Sequence, residues 1–157
     1  MNKQAGFGAI GALAILVILA GFSAAIVAVG STQQLTLAQD ILSARAWQAA
    51  RAGSEWGIYR ALKGLDWGTS GSLCDTGNRT NTLDLKSESG GFSVTVSCES
   101  WIYDEGETAP GTIRQVRIYR IKAIACPATS CPANDATVAG PGYVERSRVA
   151  LVQKVLP

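Results

Sequence analysis

The sequence predicts an α+β protein in which a long N-terminal helix, transmembrane and then amphipathic, packs on a small antiparallel β-sheet. Three observations predict this fold. No charged side chain occurs between Gln4 and Gln39, and good helix formers then continue to Leu65. Beyond that point, residues 92–98 alternate apolar and polar side chains with the period of a half-buried strand, and residues 112–125 and 143–156 are rich in β-branched and other apolar side chains.

The apolar run from Phe7 to Gly30 is the predicted transmembrane helix. As a helix it would be about 36 Å long at roughly 1.5 Å per residue, which exceeds a hydrocarbon core of about 30 Å. Lys3 and the amino terminus carry the only nearby positive charge, so we expect a cytoplasmic N-terminus and an external C-terminal part. A cleaved secretory signal, with Ala28–Gly30 resembling its cleavage site, and a plain signal anchor are the alternatives.

Residues 31–65 are predicted to continue the same helix as an amphipathic half. Small and apolar side chains recur there three and four residues apart and line one face, which is expected to make packing contacts. That face consists of Ala38, Leu42, Ala46, Ala49, Gly53 and Trp56. The bulky Trp47, Trp56, Tyr59 and Leu62 are expected to pack against the sheet, and Gly64 is expected to end the helix.

The N-terminal motifs resemble those of a known family. Gly6–Phe7, between a short basic head and an uninterrupted span, resembles a type IV (class III) prepilin leader. The resemblance implies a leader of residues 1–6, cleavage after Gly6 by a prepilin peptidase and methylation of Phe7. SARAWQAARAGSEWGIYRAL, residues 43–62, is similar to minor pilin-like proteins of the PilX type, closest to the mannose-sensitive haemagglutinin (MSHA) pilus set.

That family implies a type IV pilin-like fold and a role in pilus assembly or priming, with no catalysis. Its implied partners are other pilins, the inner-membrane assembly machinery and the membrane, and its implied location is the inner membrane and then the pilus. The predicted positions of packing between subunits are Gly11, Ala38, Leu42, Ala46, Ala49, Gly53 and Trp56. Pilins usually carry glutamate where this chain has Gly11, which suggests a place at the tip or in the priming complex. The alternatives are a minor pseudopilin of type II secretion and a membrane-anchored periplasmic enzyme or binding module.

Composition argues against several other classes of function. The 157 residues leave room for one domain after the span, and the formal net charge of +2 is not concentrated, so nucleic acid is not an expected partner. The chain has no histidine, which removes the commonest general base and metal ligand. No catalytic constellation, metal site or cofactor motif is predicted.

Residues 66–157 are predicted to form an extracytoplasmic, disulfide-bonded β domain. Four cysteines outside the membrane favour disulfides over zinc, and three pairings are possible. The most economical pairing joins Cys126 to Cys131 and Cys74 to Cys98. A zinc site is the alternative, although paired C-x-x-C spacing is missing.

The predicted strands are residues 92–98, 112–125 and 143–156, arranged as an antiparallel meander. Residues 66–90 are predicted to be a loop. Residues 104–111 are predicted to be a solvated turn, with calcium binding by Asp104, Glu105 and Glu107 as the alternative. The basic residues of the second strand are expected on a solvated face, and the last strand is expected to make apolar contacts. These residues are Arg114, Arg117, Arg120 and Lys122, and then Val149, Leu151, Val152 and Val155.

Overall fold

The computed structural model describes residues 5–67, 72–140 and 142–156, and the chain divides into two compact units, residues 1–40 and 41–157. The elements are α1 (Ala5–Lys63), β1 (Arg79–Asp84), α2 (Lys86–Ser89), β2 (Ser93–Ala109), β3 (Thr112–Cys126) and β4 (Arg146–Val155). Short 3₁₀ turns lie at Cys74–Thr76 and Ala136–Ala139. A long helix and an antiparallel sheet make up the predicted α+β layout.

Helix α1 is long because its sequence contains no proline and is rich in good helix formers. Its last turn carries Arg60 and Lys63, whose positive charges interact favourably with the negative end of the helix dipole. Gly64 follows with φ 62°, and the Leu65 N–H donates to the Arg60 carbonyl at 2.9 Å. The left-handed glycine closes the last turn, which confirms the prediction that Gly64 ends the helix.

The first unit contains the apolar part of α1. Gly8–Val27 is a 20-residue segment with mean hydropathy 2.7 and no residue buried inside the protein. At 1.5 Å per residue it is about 30 Å long, the thickness of the hydrocarbon core. The chain therefore has an N-terminal helix that is long and apolar enough to cross a membrane. The first four residues of the predicted leader lie outside the described residues.

The second unit contains a four-stranded antiparallel meander in the order β1-β2-β3-β4. The predicted antiparallel arrangement is confirmed, but the loop prediction for residues 66–90 is wrong because that region contains β1. This strand pairs with β2 from Arg79 opposite Cys98 to Asp84 opposite Ser93. The strand lies at the edge of the sheet and alternate residues are exposed. Its sequence, RTNTLD, therefore needs only one large apolar residue.

The β2–β3 hairpin is longer than predicted, and residues 104–109 belong to β2 instead of a turn. Asp104 pairs with Gln115 and Glu107 with Ile113, with register shifts around Glu107. The chain reverses at Gly111, whose φ of 82° suits glycine. Pairing to β1 ends at Cys98 and pairing to β4 ends at residue 116, followed by one bond from the Leu156 N–H to the Gln115 carbonyl at 2.9 Å, so most of residues 104–115 extends past both neighbours. We call residues 104–115 the ribbon.

The core of the second unit lies between α1 and the middle of the sheet. The helix contributes mainly small buried residues, Ala46, Ala49, Ala50, Gly53, Ser54, Gly57 and Ala61, and the sheet contributes Val94, Val96, Tyr119, Ile121 and Ala123. A Cβ added at Gly53 would lie 2.5 Å from Val94 Cγ1, and one at Gly57 would lie 2.7 Å from Ile121 Cγ2. The two glycines therefore set how closely the helix approaches the sheet.

Several predicted side-chain positions on the helix are wrong. Trp47, Tyr59 and Leu62 are exposed, so none of them fills the core against the sheet, although Arg148 of β4 lies over the Trp47 ring at 6.0 Å. Trp67, in the predicted loop, fills that role instead. It is buried and meets Trp56 edge to face, with ring centroids 5.1 Å apart.

The sheet also departs from the predicted faces. Val149, Leu151 and Val155 alternate with the residues that face α1, so they lie on the outer face and are exposed. Of the four predicted apolar contacts in β4, Val152 is the one that packs against the core. Arg117 is half-buried on the same face as Tyr119, whereas Arg120 and Lys122 are exposed as predicted.

Candidate functional site

The apolar surface of α1 over Gly8–Val27 is the first candidate functional site. A Cβ added at Gly11 or Gly21 would meet nothing within 4 Å, and Ala38 is exposed. The Ser23 hydroxyl on this surface donates to the Leu19 carbonyl at 2.8 Å, so it is satisfied within the helix. An apolar helix surface of this kind suits hydrocarbon or another apolar helix.

The predicted contact face is divided by the structure between two environments. Ala46, Ala49 and Gly53 are buried against the chain's own sheet, and Leu42 and Trp56 are half-buried at the edge of that core. These small residues thus allow a close approach between the helix and the sheet of the same chain. A role in packing between subunits stays a prediction for the exposed positions, Gly11 and Ala38. Cleavage between Gly6 and Phe7 and methylation of Phe7 also stay predictions.

The four cysteines form two disulfides with the economical pairing. Cys74 and Cys98 join the first 3₁₀ turn to β2, with Cα atoms 5.9 Å apart, and Cys126 and Cys131 close a short loop, with Cα atoms 5.7 Å apart. These separations are typical of disulfides. The predicted disulfides are present, so none of the four cysteines is left as a thiolate ligand for the alternative zinc site.

A half-buried polar cluster surrounds the first disulfide and was missed from the sequence. The Tyr119 hydroxyl donates to Asp75 Oδ1 at 2.8 Å, and Arg117 Nη1 donates to the Asp75 carbonyl at 2.9 Å. Ser100 Oγ donates to the Cys74 carbonyl at 3.1 Å. Burial, together with the Asp75 carboxylate, raises the pKa of Tyr119 to about 12. The cluster fixes the 3₁₀ turn against β2 and β3, so its role is structural.

The second disulfide holds a loop against the outer face of the sheet. The Cys131 N–H donates to Thr95 Oγ1 at 2.8 Å, and Cys131 is buried. Further along the loop, the Tyr143 hydroxyl donates to Glu145 Oε2 at 2.6 Å and accepts from the Ala133 N–H at 3.4 Å. Burial and the Glu145 carboxylate raise the pKa of Tyr143. The long segment between β3 and β4 is therefore tied down at both ends.

The predicted acidic cluster does not form an oxygen-lined cavity for calcium. Asp104 Oδ1 accepts from Gln115 Nε2 at 3.0 Å, Glu105 lies 3.5 Å from Arg114, and Glu107 accepts from the Gly111 N–H at 3.3 Å. Each carboxylate thus has its own donor along the ribbon. Across the described ranges, no group of three His, Cys, Asp or Glu side chains could hold a metal ion.

One groove of about 570 Å³ lies beside α1 in the second unit. Helix residues form one wall and the segment around α2 forms the other, and the lining residues are Arg45, Gln48, Ala49, Ala52, Leu85, Ser87, Glu88, Ser89 and Gly90. Arg45 and Glu88 are both exposed, so water screens the charges on the two walls.

Sequence reasoning missed Gly57, Trp67 and Asp75. Gly57 lies four residues after Gly53, so the helical period that identified Gly53 also points to it. Asp75 directly follows Cys74, but its partners Arg117 and Tyr119 lie more than forty residues away in the sequence. No local sequence pattern predicts contacts over such a distance.

No protein-family model, curated protein or solved structure matches this chain. The family resemblance of residues 1–62 therefore stays a prediction, supported by the residues themselves.

Proposed function

We propose that this protein is a minor pilin-like subunit that takes part in the assembly or priming of a bacterial type IV (MSHA-like) pilus. The observation that carries the proposal is the position of Gly6–Phe7 directly before a charge-free span in a helix that continues to Lys63. A cleavable junction before the apolar segment, and not after it, keeps that segment in the mature protein. The type IV pilin-like fold is part of the same proposal.

The span and the second unit have different tasks in this proposal. The apolar helix surface holds the subunit in the inner membrane, with the second unit in the periplasm, and later packs against the helices of other subunits. The second half of the helix is covered by its own sheet through Gly53 and Gly57. The two disulfides suit a domain that works in an oxidising compartment and at the cell surface.

The experiment that tests the proposal is leader processing. Co-expression of the full chain with a prepilin peptidase should remove residues 1–6 and leave methylated Phe7 as the N-terminus, as measured by intact mass and N-terminal sequencing. Gly6→Leu should block the cut because a bulky side chain replaces the glycine at the cleaved bond. Gly8→Leu is the matched control, since Gly8 has nothing within 4 Å of an added Cβ and lies past the cut.

Two outcomes would contradict the proposal. An N-terminus at Ser31 would identify a secreted protein with a cleaved signal. An uncut chain that stays in the membrane would favour an anchored periplasmic enzyme or binding module. If the cut occurs, deletion of the gene distinguishes a type IV pilus subunit from a pseudopilin of type II secretion. Lost piliation supports the type IV pilus, whereas lost secretion with normal pili would assign the chain to the type II pseudopilins.

A further inference from the structure

We propose that two copies of this chain bind each other through unlike surfaces, the ribbon (residues 104–115) of one copy against β4 of the other. Both surfaces belong to the second unit, so the proposal applies to the anchored chain whether or not it later enters a filament. It therefore goes beyond the proposed function and does not rest on it.

The ribbon is an acidic surface. It carries three carboxylates, Asp104, Glu105 and Glu107, and one cation, Arg114, which lies 3.5 Å from Glu105. Both members of that ion pair are about half exposed, so water screens their attraction and leaves the surface negative overall. Ile113 on the ribbon is 58% exposed, and Tyr103 at its base is 53% exposed. The ribbon thus combines negative charge with exposed apolar side chains.

Strand β4 is a basic edge of the sheet, with Arg146 exposed and Arg148 and Lys154 half-buried. Its charged residues are all cations, Arg146, Arg148 and Lys154. Arg146 donates to Ser43 Oγ at 2.6 Å, and Arg148 lies over the Trp47 ring at 6.0 Å. In the described part of the chain, none of the three cations has a carboxylate within 4.0 Å.

Exposed apolar side chains alternate with these cations along β4 and lie on the opposite face of the strand. Val149 is 50% exposed, Leu151 is 68% exposed and Val155 is 48% exposed. The strand therefore matches the ribbon in apolar character and opposes it in charge.

Both surfaces also have an open backbone edge. β4 is the last strand of the sheet order, and within the described ranges the ribbon continues beyond the residues that pair with β1. Open edges of this kind pair readily with another strand. Backbone hydrogen bonds can therefore add to the attraction between the charges.

Charge decides which of the possible pairings forms. Two β4 strands would bring cations against cations, and two ribbons would bring carboxylates against carboxylates, so both symmetric contacts are repulsive. The pairing of a ribbon with β4 brings opposite charges together. This contact is head to tail, so each pair of copies keeps one free ribbon and one free β4.

Charge reversal in the full-length chain in detergent micelles tests the contact. Asp104→Lys with Glu107→Lys reverses the ribbon, Arg148→Glu with Lys154→Glu reverses β4, and a fourth protein carries all four changes. Sedimentation velocity measures self-association of each. We expect each two-site reversal to weaken association about tenfold, and the four-site protein to recover it. Lys63→Glu with Glu88→Lys, off both surfaces, is the matched control and should leave association unchanged.

The recovery separates a lost contact from a lost fold, because a misfolded variant would not regain association when more charges are reversed. Raising the salt should weaken association of the wild-type and four-site proteins alike. Three results would overturn the proposal: a wild-type chain that stays monomeric, association through the span that ignores both reversals, or a four-site protein no better than its parents.

Discussion

Gly57 gives the sharpest test of how α1 packs on the sheet. Gly57→Ala in an exposed helix would stabilise the protein by about 1 kcal/mol, because alanine has the better helix propensity. In this structure the new Cβ would lie 2.7 Å from Ile121 Cγ2, 3.0 Å from Val96 Cγ1 and 3.1 Å from Trp67 Cη2. All three distances are shorter than the carbon–carbon optimum of about 3.5–4.0 Å.

The steric cost of the added Cβ and the gain in helix propensity act in opposite directions on the free energy of unfolding. Overpacking a dense core costs about 1–3 kcal/mol, and Ile121, Val96 and Trp67 are buried and cannot move aside freely. After subtracting the gain in propensity, we expect a net loss of about 1 kcal/mol. For a unit of this size that loss lowers the melting temperature by roughly 4 °C.

The assay is thermal unfolding of the full chain in micelles, followed by near-ultraviolet circular dichroism of the packed tryptophans. Gly21→Ala is the matched control, because it lies in the same helix with nothing within 4 Å of the added Cβ. It should leave the transition of the second unit unchanged. A Gly57→Ala protein that melts at or above the wild-type temperature would refute the close approach of helix and sheet.

Three further predictions concern the disulfide, a tyrosine and the span. Replacing Cys74 and Cys98 by Ser should lower the free energy of unfolding by about 3 kcal/mol in urea titrations, since their loop spans 24 residues; free thiols in the unfolded, unreduced protein would contradict the pairing. The pKa of Tyr119 is raised to about 12 from an ordinary 10. The stability that this raised pKa represents is therefore fully present below pH 10, and the free energy of unfolding falls as the pH rises towards 12. Tyr119→Phe should abolish that loss and the last step of the ultraviolet titration, and a wild-type titration complete by pH 11 would refute it. The last prediction rests on the proposed pilin function: a subunit with Gly11 where pilins usually carry glutamate has no carboxylate to neutralise an N-terminal ammonium ahead of it, so immunogold label should lie at one end of intact pili; label spaced along the shaft would contradict this.

Strong local patterns in the sequence predicted the elements that the structure shows most clearly. The charge-free run identified the apolar part of α1, and Gly64 marked the end of the whole helix. Alternation located β2, and β-branched and other apolar residues located β3 and β4. Alternation did not locate β1, since an edge strand with Thr80, Asn81 and Thr82 in its middle has no apolar alternation to detect.

The buried face of each strand and the tertiary contacts of single side chains were harder to predict than the elements themselves. Alternation shows that Val149 and Leu151 share one face of β4 but does not tell which face another element covers. Residues 104–109 carry turn-forming side chains, yet pairing with β3 holds them in a strand. The cluster of Asp75, Arg117 and Tyr119 depends on tertiary contacts, so the sequence alone could not reveal it.

The meander topology has a consequence for the order of folding. Every strand pairs with the strand next to it in the chain, so the sheet can grow as successive hairpins with little loss of chain entropy. The contact between Arg146 and Ser43, by contrast, joins residues 103 positions apart. We therefore expect the sheet to form first and α1 to dock last, with hydrogen-exchange protection of β2 and β3 preceding burial of Trp56. Burial of Trp56 before that protection would reverse this order.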